Sequence, residues 1–147
     1  MINFYSHLMR KSFVVIFIIF TGLKAQSQNR FVCFENDSIK NIRISVCFDK
    51  NDKAKYVKYQ GQKDSIVIYY KNAHYTKNDG IPNYYWSKTY IEKYNGRITG
   101  EYVFTNAGTY QLDVYYTRKK DGKEFYFKVT EENTSADEFP YRSSPCW

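Results

Sequence analysis

The sequence predicts an all-β fold: a single small antiparallel barrel or sandwich of about eight strands. Three observations carry this. Apolar and polar residues alternate with period two along most of the chain, and no segment beyond residue 25 sustains a 3.6-residue period. Turn-forming residues punctuate the alternation at short intervals: Asn51-Asp52, Gly61, Asn78-Asp79-Gly80, Asn95-Gly96, Asn106-Ala107-Gly108 and Asp121-Gly122. Asn-Gly and Asp-Gly pairs suit type I′ turns, whose two central residues need positive φ.

The chain opens on a different pattern. Arg10 and Lys11 precede the apolar run FVVIFIIF at 13–20, and small residues at Ala25 and Ser27 offer cleavage sites. This predicts a signal peptide over 1–25 and a secreted or periplasmic protein with no transmembrane segment after cleavage. As a helix, an apolar run of about 11 residues reaches only ~16 Å, against ~30 Å of hydrocarbon. Cys33 follows Phe31-Val32 and so lacks the small neighbour of a lipid-attachment site. Removing Arg10, Lys11 and Lys24 with the signal lowers the net charge from +7 to +4. So mild a charge on a secreted chain makes nucleic acid an unlikely partner.

Strands are predicted at 30–34, 42–48, 54–60, 65–71, 84–94, 97–104, 109–117 and 123–129, within one domain over 30–130 followed by a polar C-terminal tail over 131–147. Parity assigns the faces. Ile42, Ile44, Val46 and Phe48 share one side of the second strand, opposite Arg43 and Cys47. Ile66, Ile68 and Tyr70 share a side of the fourth; Tyr110, Leu112, Val114 and Tyr116 share a side of the seventh; Phe125, Phe127 and Val129 share a side of the last. Gly100 inside the sixth strand suggests a bulge or a close backbone approach. Residues 71–83 read as the longest loop in the domain, and loops of that length often carry function. Closure into a barrel is favoured, because it removes the exposed edges of a Tyr- and Ile-rich sheet.

Three cysteines follow the signal: Cys33, Cys47 and Cys146. An oxidising compartment implies one disulfide and one remaining thiol. A hairpin turning at Ile39-Lys40-Asn41 would set Cys33 across from Cys47. Alternatively, Cys146 ties the polar tail back onto one of those strands. Both pairings stay open at the level of sequence.

The catalytic inventory is thin. His74 is the one histidine left after signal removal, and no nucleophile elbow or phosphate-binding glycine loop occurs. No cofactor or metal is expected. This weighs against an enzyme, although a converging pair of carboxylates would need no histidine. Aromatic residues, at 20% of the chain with 16 tyrosines, are the informative excess. In NYYWSKTYIEKY they fall on both faces: Tyr84, Trp86, Tyr90 and Tyr94 on one, Tyr85 on the other. Rigid aromatic area with a polar tip suits recognition. The expected function is therefore a small non-catalytic domain that binds a protein or small ligand through Tyr75, Tyr84, Tyr85, Trp86 and Tyr90 and the adjoining long loop. The alternative is a glycan-binding or glycan-active module using the same Tyr and Trp platforms. The basic tip Arg118-Lys119-Lys120 reads as a solvated hairpin end or a contact for an anionic partner. Over roughly 31–129 the layout of signal, eight strands and disulfide resembles that of the periplasmic lysozyme inhibitors. The resemblance is architectural: it implies a barrel and an inhibitor-like role, and assigns no site residue.

Overall fold

The computed structural model describes residues 29–39, 41–77, 84–107, 112–130 and 141–147; the signal-peptide reading and Tyr110 lie outside them. Eight strands form a closed barrel in which each is antiparallel to its neighbour in sequence. They are β1 (Arg30–Asn36), β2 (Arg43–Phe48), β3 (Ala54–Tyr59), β4 (Ile66–Lys77), β5 (Tyr84–Tyr94), β6 (Arg97–Ala107), β7 (Leu112–Arg118) and β8 (Glu124–Val129). At the β5–β6 turn, Asn95 and Gly96 take φ of 48° and 76°, the positive pair a type I′ hairpin requires. The β1–β2 turn is fixed by Asn36. Its side-chain oxygen accepts from the amides of Ser38 and Ile39 while its amide nitrogen donates to the Tyr126 carbonyl across the barrel seam.

The predicted faces hold through the body. Val32, Phe34, Ile44, Val46, Phe48, Val57, Leu112 and Val114 turn inward and form one core with Tyr90, Tyr102, Phe104 and Phe127. That interior is filled rather than hollow. Five ring-bearing side chains, Tyr90, Tyr102, Phe34, Phe104 and Phe127, are each at most 1% exposed. Phe48 and Tyr90 meet the Phe104 ring edge-on, with centroids 5.8 and 5.3 Å apart. Such pairs add about 0.5–1.5 kcal/mol each beyond the area they bury.

Closure is uneven along the seam. β8 pairs with β1 only from Phe34 to Asn36. The other half of that β1 edge is covered by the C-terminal tail: Phe31 and Arg142 exchange both backbone hydrogen bonds, at 2.9 and 2.8 Å. Cys146 then joins Cys33, with Cα atoms 5.8 Å apart. Cys47 is left as a buried free thiol. The Cys33–Cys47 alternative fails on register, because Cys33 lies opposite Ser45 and Cys47 opposite Phe31. The turn centres one residue earlier than the hairpin reading placed it, which slides the two cysteines past each other.

Two further readings are corrected. β4 does not stop at Lys71. After a bulge between Tyr70 and Asn72 it continues to Lys77, paired throughout with β5, so most of the expected loop is strand, an arm of β4 and β5 with β6 alongside β5 as far as Ala107; the tip at 78–83 lies outside the described residues. β6 likewise runs through Asn106 and Ala107, which were assigned to a turn. Gly100 combines both roles suggested for it. It lies opposite Glu92 beside the irregularity between Glu92 and Lys93, and a Cβ there would meet Tyr116 Cε2 at 2.3 Å.

Candidate functional site

The β4–β5 arm lies at one end of the barrel, with β6 alongside β5 as far as Ala107, and carries most of the aromatic residues singled out from sequence. Antiparallel register places Tyr75 directly opposite Trp86 and Tyr70 opposite Tyr90, on the side of the arm continuous with the barrel interior. Burial falls along this side toward the tip. Tyr90 is a core residue, 1% exposed, whose hydroxyl accepts from the Ala54 amide at 3.1 Å. It therefore offers no surface to a partner. Trp86 is half-buried against the core, with Lys88 Nζ 4.5 Å above its ring, close enough for a cation–π contact. Tyr75 is 63% exposed, and Tyr70 stands edge-on to Tyr90. Tyr85 is exposed on the opposite side, and the side chain of Tyr84 lies outside the described set. The result is a ledge of Tyr70, Tyr75 and Trp86 with Lys88 at its base. His74, expected in a loop, sits on the arm's outer side opposite Ser87.

The ledge adjoins a polar cluster at the same end. Asp52 accepts from Arg30 at 2.7 Å and from the Tyr141 hydroxyl, and Arg30 stacks 4.2 Å from the Tyr141 ring. Lys88 reaches the Asp52 carbonyl at 3.3 Å, which ties the base of the arm to the β2–β3 turn. Burial pushes the Tyr141 hydroxyl well above the usual phenol range, and the Asp52 carboxylate adds to it.

The basic tip behaves as a hairpin end. Arg118 forks onto Asp121 at 2.9 and 2.5 Å, and that bond holds the Asp121 carboxyl down at about 2. Lys119 donates its backbone amide to Thr99, and the side chains of Lys119 and Lys120 are exposed. Of the Arg118-Lys119-Lys120 tip, the two lysines are left for an anionic contact.

The opposite mouth of the barrel holds a constellation that the sequence reading missed. Glu92 turns inward two residues after Tyr90 and accepts from Thr99 Oγ1 at 2.6 Å and Tyr102 Oη at 3.0 Å. Tyr116 Oη stands at 3.5 Å, the limit of such a bond. Tyr59 Oη lies 3.1 Å from Tyr102 Oη, extending the chain of hydroxyls. Burial raises all three phenols, Tyr59 to about 12 and Tyr102 and Tyr116 further. A signal was present in the sequence: a glutamate sharing the face of a core tyrosine breaks the strand's inside–outside alternation.

Among the described residues, no group of three or more His, Cys, Asp or Glu side chains could hold a metal ion, and no helix is long and apolar enough to cross a membrane. Compared with known proteins, the chain matches no family model, no curated protein and no solved structure, so the barrel and its side chains alone carry the functional reading.

Proposed function

We propose that this is an exported, non-catalytic binding domain that recognises a protein partner through the tyrosine-bearing ledge of the β4–β5 arm. One observation carries the reading: Tyr75, 63% exposed, is paired across the arm with Trp86, whose ring is anchored in the core. Tyr and Trp supply large, rigid contact area at low conformational-entropy cost, and both are enriched among binding hot spots. The filled interior supports recognition on the outside of the barrel over a ligand held at its centre. The Cys33–Cys146 disulfide supports a site of action outside the reducing cytosol.

The test is binding by Tyr75→Ala and Tyr70→Ala variants, alongside the wild type, to proteins captured from extracellular fluid and then purified. Affinity for a defined partner should drop ten-fold or more, while circular dichroism and the melting temperature stay within error of wild type. Undiminished binding by both variants defeats the proposal, and so does loss of fold in both. Binding confined to a glycan array would transfer the ledge to the carbohydrate alternative.

A further inference from the structure

At the barrel mouth away from the arm, a cavity of 470 Å³ is lined by Ile42, Tyr59, Ile66, Glu92, Tyr116 and Phe125, with Arg43 and Arg118 also on its wall. Its size lies within the range of small-molecule sites, ~300–1,000 Å³. We infer that this cavity binds a primary ammonium group on a short aliphatic stem, with Glu92 as its counter-charge.

The direction of the hydrogen bonds carries the argument. An ionised carboxylate only accepts, so Tyr102 donates to Glu92. Its single hydroxyl hydrogen is then spent, and Tyr59 must donate to Tyr102 in turn. Thr99 also points its hydrogen at Glu92. The hydroxyl hydrogens of these three residues are therefore turned inward, and around Glu92 the oxygens left to face the cavity are acceptors, its own unused lone pairs and the Tyr59 oxygen; the amides of Asn41, Gln60 and Gln62, elsewhere on the wall, can donate or accept. An ammonium is the complement of such a wall, with three donors and no acceptor.

Charge points the same way. Among the described residues, no lysine or arginine forms an ion pair with Glu92. Lys63 and Lys93 border a second hollow on its other side without reaching it. The two arginines of the cavity are each paired with another carboxylate, Arg118 with Asp121 at 2.5 Å and Arg43 with Glu35 at 3.8 Å, and Arg118 also lies 5.7 Å from the Phe125 ring. A half-buried carboxylate held by hydroxyls and lacking a cation is left with an unmet electrostatic demand. Ile42, Ile66 and Phe125 supply apolar wall that accommodates methylenes.

The experiment is a titration of the oxidised, folded protein followed by NMR at constant ionic strength, with n-butylammonium chloride against neutral 1-pentanol. The ammonium should move the aromatic resonances of Tyr59, Tyr116 and Phe125 and bind at least ten-fold more tightly than the alcohol. Glu92→Gln should remove that preference. Equal binding of the two probes overturns the inference, as do shifts confined to the arm or an unchanged preference in Glu92→Gln. If the variant does not fold, the probe comparison on the wild type decides alone. An acetylated and amidated lysine peptide forms a third arm. Tighter binding than the free amine identifies a protein side chain as the source of the ammonium, and weaker binding identifies a small amine.

Discussion

Gly100 shows how much one missing side chain controls. Its bare backbone lets the Tyr116 ring lie across β6 and bring its hydroxyl toward Glu92. The ring cannot simply swing aside, because Tyr102 and Phe125 flank it with centroids 4.5 and 5.9 Å away. Gly100→Ala should therefore destabilise the protein by about 1–3 kcal/mol in urea denaturation, the range of an overpacked core. In a Tyr116→Ala background the same substitution should become neutral or mildly stabilising, since alanine gains over glycine in a strand. Persistence of the full penalty there would show that Tyr116 is not the obstacle. The glycine was conspicuous in the sequence and its role could be anticipated. Glu92 was harder to see, because its meaning depends on Tyr59 and Tyr102 arriving from two other strands.

At the scale of elements, β5 was legible to the residue, Tyr84–Tyr94, while β4 was cut short at Lys71. The reason is physical. Alternation in sequence records burial, and beyond Tyr70 the β4 strand of the arm is almost wholly exposed, so KNAHYTK shows little but backbone pairing, which leaves no compositional trace. The cysteine ambiguity has the same character. Register, set by a turn of uncertain centre, decided it, and composition could not. The tail that the disulfide secures stands in for the strand partner β1 otherwise lacks near Phe31. Cys146→Ser should lower unfolding stability by about 2–5 kcal/mol under oxidising conditions. A change below about 0.5 kcal/mol would mean that the tail hangs on the barrel without supporting it.

For the whole molecule, the fold class followed from alternation and turn chemistry, and the closed barrel realises it. Burying this many tyrosines, some in the interior and some partly on the outer face, has a consequence in alkali. Burial lifts Tyr59, Tyr56 and Tyr126 to about 12, and lifts Tyr90 and Tyr102 as well. Free phenols titrate near ~10, so between pH ~10 and ~12 the unfolded chain binds fewer protons than the native one. Stability should be full below pH ~10 and fall as pH rises through the folded values. The urea midpoint should drop across that window, with phenolate absorbance rising in step with unfolding, and Tyr59→Phe should flatten part of the slope. A midpoint flat to pH 12 would show that these hydroxyls ionise in place.

The seam also sets an order of events for a chain delivered N-terminus first. β1 can pair with β2 at once, but its other edge waits for β8 and for Arg142. During that interval Cys33 has only Cys47 as a thiol neighbour, and the partner it finally takes is the last cysteine to emerge, 113 residues later. Placing Cys47 two positions out of step with Cys33 keeps the two thiols from facing each other whenever β1 and β2 pair in the native register, so that hairpin does not itself favour the premature disulfide.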